Sequence, residues 1–383
     1  MRISEKAAQI PASGIRKMFQ IAAHYPDVVN LCIGEPGFPT PSHIVEAGCR
    51  ALRDGFTKYT PNAGLLPLRE AIAEKLERDN HIRTDPETEL IVTTGSGEAI
   101  LLALLAAVNP GEEVILIEPC WPNYYGHITL AGARTVTVPA RGENGFIPET
   151  EQIEQALSSK TRAILINSPS NPTGAVIPGK LLRQICDLVR KHDLVLISDE
   201  PYEKFYYGQT APESPASFEG MKDFCITINS LSKTYAMTGW RVGYAAGPAH
   251  MISSMVKLQE SVSSCVNAAA QTASAEALKG PQDSVLFMRK EYQKRGELMV
   301  DGLNRCHGIQ CRMPDGAFYA FADIRGLGLS SQEAAELLIR KTRVIATPGS
   351  AFGPAGEGYL RFSFASPEEE IREALRRMHD FFR

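Results

Sequence analysis

Between residues 88 and 199, short runs of branched apolar residues alternate with amphipathic segments, and few architectures can absorb such a pattern. ELIVTT leads into GSGEAILLALLAAV, EEVILIEP into a mixed segment, and RTVTVPA into PETEQIEQALSS. TRAILIN, KLLRQICDLVRKHD and LVLISDE follow. The strand-like runs are continuously apolar, as strands covered on both faces are. In KLLRQICDLVRKHD, residues Leu181, Leu182, Ile185, Leu188 and Val189 fall on one helical face. Repeated alternation of this kind predicts an α/β fold, a mostly parallel sheet covered by helices.

The pattern continues to DFCITINS and WRVGYAAGP and then fades. SVLFMRKEYQKRGELMVDGLNRC reads as a long helix, followed by GAFYAFADI, a helix around SQEAAELLIRKT, the strand-like GYLRFSFA and a last helix, PEEEIREALRRMHDFF. That last helix places glutamates in its first turn and arginines later, matching the helix dipole, with Ile371, Leu375 and Met378 on one face. The final third therefore reads as a smaller α+β domain. A chain of 383 residues has room for both.

Composition narrows the partners. A formal charge of −4 with no long block of like charge argues against nucleic acid or an anionic membrane surface. MRISEKAAQIPASGIRKMF has no apolar core or small-residue cleavage site, and AILLALLAAV is too short to cross a bilayer, so a cytoplasmic chain is expected. Eight scattered cysteines include no CxxC pair and no cluster with histidine at metal spacing, which reads as free thiols and no metal.

Ligands of open α/β sheets bind at the carboxyl ends of strands. Four such ends are polar here: Gly95 to Gly97, Ser168 to Gly174, Ser198 to Tyr202 and Asn229 to Lys233. Gly95-Ser96-Gly97, entering a helix near Glu98, is either an anion cradle or a plain tight turn. It is no dinucleotide fingerprint, because position 100 is Ile100. Gly174 to Lys180 spells GxxxxGK, yet Leu181 stands where a P-loop needs Ser or Thr, and AVIP is a poor phosphate loop. Asp199, closing LVLIS, is costly to bury unless something positive or protic meets it; a helix cap or a solvated loop acid is the alternative. Tyr202 is core or ligand. Lys233 would ordinarily be a surface charge. Its neighbours Ser230, Ser232 and Thr234, and the apolar run that delivers it, also suit a partly desolvated nucleophilic amine. Ser230, Ser232, Arg241 and the GSG turn together would suit a phosphate dianion. A Schiff-base lysine, a phosphate cup and an acid for a ring nitrogen are what pyridoxal phosphate requires.

In order, the chain carries NLCIGEPGFPTP, KYTPNAGLLPLREAI, TTGSGEAI, EPCWPNY, NSPSNPTG, SDEPYEKF, SLSKTYAMTGWRVGY, TPGSAFG and YLRFSFA. With these motifs it resembles the class I/II aminotransferases of pyridoxal-phosphate fold type I, the aspartate and aromatic aminotransferase-like group, over nearly its whole length. The resemblance implies a large cofactor-binding domain over 46–280, a small C-terminal domain over 281–383, and an N-terminal arm over 1–45 that completes the small domain. It implies that Lys233 holds pyridoxal 5′-phosphate as an internal aldimine, takes the substrate's α proton and returns it to the cofactor carbon. Asp199 would pair with the pyridinium nitrogen, Tyr202 and Asn171 with the ring's phenolic oxygen, and Trp121 would stack on the ring. Ser96, Gly97, Ser230, Ser232 and Arg241 would bind the phosphate. Tyr59 would reach that phosphate from a neighbouring subunit, implying a homodimer with shared sites. Arg361 would clamp the substrate α-carboxylate, with Gly34 at the substrate's other edge.

The reaction so implied moves the amino group of an L-amino acid to a 2-oxo acid, 2-oxoglutarate being the expected acceptor, with ping-pong kinetics. GSGEAI supplies no lysine where some dicarboxylate-selective members carry one, so aspartate, aromatic, alanine, methionine and branched-chain donors all stay open. A β-lyase on the same fold is the nearer rival. A cofactor-sensing regulator would need an added winged-helix segment, and the family-like sequence begins by about residue 13.

Overall fold

The computed structural model describes residues 2–10, 14–209 and 211–383; residues 1 and 11–13 of the expected N-terminal arm lie outside them. Strand β1 (Val29–Asn30) comes first. It is followed by β2 (Leu90–Thr93), β3 (Glu113–Glu118), β4 (Arg134–Pro139), β5 (Thr161–Asn167), β6 (Val195–Asp199), β7 (Cys225–Ser230) and β8 (Gly243–Ala246). Beyond them lie β9 (Tyr319–Asp323), β10 (Val344–Ile345), β11 (Thr347–Pro348) and β12 (Tyr359–Ser363).

Strands β2 to β8 form one sheet in the order β2-β8-β7-β6-β5-β3-β4. All run the same way except β8, which is antiparallel to both β2 and β7. The expected α/β fold is therefore present. Alternate residues enter different cores: Val114, Leu116, Ala163 and Leu165 pack on one face, Ile115, Ile164 and Ile166 on the other. That two-sided burial is why the runs carry no polar alternation. β4 departs from the expectation. It is the sheet edge, and of RTVTVP only Val138 is buried, because one long side of the strand has no neighbour.

The smaller sheet, β11-β12-β9, is antiparallel, and Arg361 in β12 stands opposite Thr347 and Phe321. β1 pairs with β10 in parallel, so residues 29–30 pack with the C-terminal third. One apolar core joins Met18, Leu31 and Cys32 to Phe318, Phe362, Ile371 and Leu375. Helix Asp283–Leu303 and helix Glu368–Phe381 contribute to it, the latter burying Ile371, Leu375 and Met378 as its spacing predicts. Among the described residues, no helix is long and apolar enough to cross a membrane.

Candidate active site

The carboxyl ends of β2, β5, β6 and β7 meet the C-terminal third around a cavity of about 440 Å³. All four polar strand ends reach its wall, through Ser96 and Gly97, Asn171, Asp199 and Tyr202, and Ser230, Ser232 and Lys233.

β7 delivers Lys233 through one helical turn, Leu231–Thr234, capped by Ser230, whose hydroxyl accepts from the Ser232 N–H at 3.1 Å. The Lys233 amine donates to the Gly34 carbonyl at 2.6 Å. Removal from water lowers its pKa to about 8, against the opposing field of Glu35. The arginine that follows, Arg241, adopts a left-handed backbone (φ 59°) and lies against Gly95. A Cβ on Gly95 would displace the Arg241 guanidinium, 2.5 Å away, and its φ of +75° favours glycine.

Helix Gly95–Ala107 opens at Gly95, earlier than the expected start near Glu98, because the Glu98 carboxylate folds back to accept the Thr94 N–H at 2.5 Å. Its first turn thus faces the cavity with the N–H groups of Ser96 and Gly97 at a helix N-terminus. A Cβ on Gly97 would meet only Trp121 and His127, at 3.8 and 3.9 Å.

Asp199 ends β6 at 3% exposure. One carboxylate oxygen accepts the Tyr124 hydroxyl at 2.5 Å and the other has no partner. Burial raises its pKa to about 7, although Tyr124 and the Lys233 charge oppose the rise. Its register partner Asn167, the last residue of β5, donates to the Asp199 carbonyl at 2.8 Å.

Arg361 is 2% exposed. Its guanidinium donates to Asn171 Oδ1 at 2.8 Å and to the Cys32 carbonyl at 2.5 Å, while its Nε is buried and unpartnered. The Tyr319 and Phe352 rings lie 4.4 and 4.8 Å from its charge centre. The Tyr319 hydroxyl meets that of Tyr202 at 2.9 Å.

Twelve of the thirteen residues singled out from the sequence line this one cavity: Gly34, Ser96, Gly97, Trp121, Asn171, Asp199, Tyr202, Ser230, Ser232, Lys233, Arg241 and Arg361. Tyr59 does not; it is 91% exposed on the outer surface. Sequence reasoning missed Tyr124, His127, Asn167 and Tyr319, which also line the cavity. Tyr124 and His127 share helix Asn123–Ala131, three and six residues beyond Trp121, and that spacing was the one available signal. His127 packs against the Trp121 ring at 5.8 Å, and burial lowers its pKa to about 4, keeping it neutral.

Residues 26–378 match the family described as aminotransferase class I and II. The chain belongs to that family. It is 44% identical to an aspartate aminotransferase of Pyrococcus abyssi, covering 100% of this chain and 99% of that protein. Identity to aromatic-amino-acid aminotransferase 2 of Thermococcus litoralis is 42%, over 99% of this chain and 97% of the other. The crystal structure of an aromatic aminotransferase from Pyrococcus horikoshii superposes with a TM-score of 0.91 at 45% identity, over 96% of this chain and 98% of that one. The protein is thus a transaminase, and its fold is that of its family.

Proposed function

We propose that this transaminase works with pyridoxal 5′-phosphate joined to Lys233, taking an amino group from an L-amino acid and passing it to a 2-oxo acid, 2-oxoglutarate by our reading. The observation that carries this is a pairing within one cavity: a desolvated amine, Lys233, and a buried carboxylate, Asp199, with one oxygen unsatisfied. An orphaned buried carboxylate oxygen is expensive, and a protonated ring nitrogen is the partner that would relieve it.

The rest of the cavity fits the same group. Ser96 and Gly97 at a helix N-terminus, with Ser230, Ser232 and Arg241, offer donors suited to a phosphate dianion. Asn171 and Tyr202 would hold the ring's phenolic oxygen, and Trp121 its flat face. When bound, the cofactor supplies an electron sink for the charge left at a substrate's α carbon.

The chain's own residues do the remainder. Arg361, held between two rings, would bind the α-carboxylate and so orient the α carbon. The Lys233 amine, less basic than an ordinary lysine, would take the proton from that carbon and deliver it to the cofactor. Asp199 would keep the ring-nitrogen proton in place. Amino acid and acceptor would react in turn, giving ping-pong kinetics. We further propose a cytoplasmic homodimer in which the exposed Tyr59 reaches the partner's phosphate site, and domains near 46–280 and 281–383 with the arm 1–45.

For the donor we take the range of the relatives' names, aspartate or aromatic amino acids. Among the described residues lining the cavity, Lys233, Arg241 and Arg361 are the lysines and arginines, and each already has a role. A second substrate carboxylate would need a cation from the partner subunit, which favours an aromatic side chain. The test is borohydride reduction of cofactor-loaded protein with peptide mapping, then a panel of amino donors against 2-oxoglutarate. A reduced adduct on any lysine other than Lys233 would refute the assignment. Pyruvate and ammonia released without an oxo-acid acceptor would replace transfer with elimination.

A further inference from the structure

Behind the turn that follows β6 lies a closed set of buried polar side chains that takes no part in the chemistry above. Residues 199 to 203 send Asp199 and Tyr202 to the cavity, while Glu200 and Glu203 join a second cluster that does not line it. Glu200 accepts hydroxyl hydrogen bonds from Ser198, at 2.8 Å, and from Ser214. Glu203 pairs with the Lys75 ammonium and accepts from the Asn80 amide at 2.7 Å. Asn80 closes the ring, accepting from Lys75 at 2.8 Å and donating to Ser214 at 3.0 Å. All six residues are at most 9% exposed.

Such a cluster is costly to bury, since two carboxylates face one lysine in a dry interior. Burial drives the Glu203 carboxyl upward, but Lys75, helped by the Lys204 charge and the Asn80 amide, outweighs it and holds the group below the usual carboxylate range. Glu200, without a cation in contact, is raised to about 7 by its burial. Fully satisfied polar networks rigidify what they hold. What this one holds is the short turn between two cavity residues, and it ties that turn to helix Leu66–Asn80.

We propose that Lys75 and Glu203 are positioning residues: from outside the cavity, their pair fixes the turn that aims Asp199 and Tyr202. The proposal rests on the cofactor reading given above. Neither side chain lines the cavity, so neither contacts a ligand there. Replacing Lys75 leaves Glu203 buried without its cation, and the turn must shift to rehydrate it.

The experiment compares cofactor-loaded wild type with Lys75→Met, Glu203→Gln and the double variant Lys75→Met/Glu203→Gln. The readouts are the pH midpoint of the bound cofactor's visible absorbance, kcat and KM for the donor, and Tm. For Lys75→Met the midpoint should move by about half a pH unit, one unit being 1.36 kcal/mol of differential interaction. Its kcat should fall about tenfold, with KM within about twofold, within the range of remote coupling. The double variant, which removes both charges, should recover part of each, and it serves in place of Lys75→Met if that protein fails to fold. A lowered Tm with midpoint and kcat unchanged in all variants would overturn the proposal and leave the cluster purely structural. A wild type with no cofactor band would instead overturn the cofactor reading, and the positioning claim with it.

Discussion

Arg361 and Asn171, 190 residues apart in the chain, are joined by a 2.8 Å hydrogen bond inside the cavity. The group proposed to grip the substrate carboxylate and the group proposed to hold the ring's oxygen are therefore one unit, so binding at one adjusts the other. We expect Arg361→Lys to lower kcat/KM for amino donors about 100-fold, the scale of a lost charge-assisted bidentate contact. Asn171→Ala should cost less, and the double variant should fall short of the product of the two losses. Steady-state kinetics on the four proteins measure this; multiplicative losses would show the two residues to be independent.

Tyr124 donates a hydrogen bond to the Asp199 carboxylate, at 2.5 Å. Asp199 is raised to about 7 chiefly by burial, so it contributes stability below the unfolded carboxylate value near 4, and that stability is lost as pH rises through about 7. Glu200, also raised to about 7, acts with the same sign. The Tm of cofactor-free protein should fall between pH 5 and 8, on the acid side of the amine titrations. Asp199→Asn should flatten that slope, whereas Tyr124→Phe should extend it to higher pH by removing a donor that favours the charged form. Scanning fluorimetry across the range decides it, and an unchanged slope in Asp199→Asn would contradict the assignment.

Lys233 carries the opposite sign. Its pKa is lowered to about 8 from 10.5, so its contribution to stability is present above the unfolded lysine value and lost as pH falls through about 8. In cofactor-free protein the same shift makes Lys233 the lysine modified first by an acylating reagent. Mass spectrometry of the 233 peptide should show a reaction midpoint near pH 8, with surface lysines reacting about two units higher. A midpoint for Lys233 equal to theirs would mean the amine is not desolvated.

These contrasts show what the chain reveals and what folding alone brings together. Lys233, Asp199 and Asn171 are legible because each follows a continuous apolar run, and such runs end at the ligand-binding edge of a parallel sheet. Arg361 has no such mark: it sits inside an apolar strand, and only the motif order of a family singles it out. Tyr124 and His127 lie in NYYGH, where an aromatic at helical spacing is ordinarily core, and their role depends on β6 and helix Asn123–Ala131 meeting. The Lys75–Glu203 pair spans 128 residues and both partners look like surface charges, so no local pattern announces it. Tyr59 stands 91% exposed, and the role proposed for it depends on a second subunit.

Gly34 offers the sharpest steric test of the cavity. Its carbonyl accepts from the Lys233 amine at 2.6 Å, and a Cβ placed on it would stand 2.3 Å from the Tyr319 hydroxyl. Tyr319 cannot retreat freely, because that hydroxyl meets Tyr202 and its ring packs on the Arg361 guanidinium at 4.4 Å. Gly34→Ala must therefore move either the backbone that receives Lys233 or the ring that orients Arg361. No positive φ is involved at Gly34, so the effect is contact alone and should scale with side-chain size. We expect Gly34→Ala to raise KM for amino donors about tenfold, near 1.4 kcal/mol, with cofactor retained, and Gly34→Val to do more. Adding Tyr319→Phe to Gly34→Ala removes the clashing oxygen and should restore much of the loss. Kinetics with a single donor and a spectral measure of bound cofactor settle it. If Gly34→Ala kept wild-type KM, the cavity would not be shaped by the Gly34–Tyr319 contact.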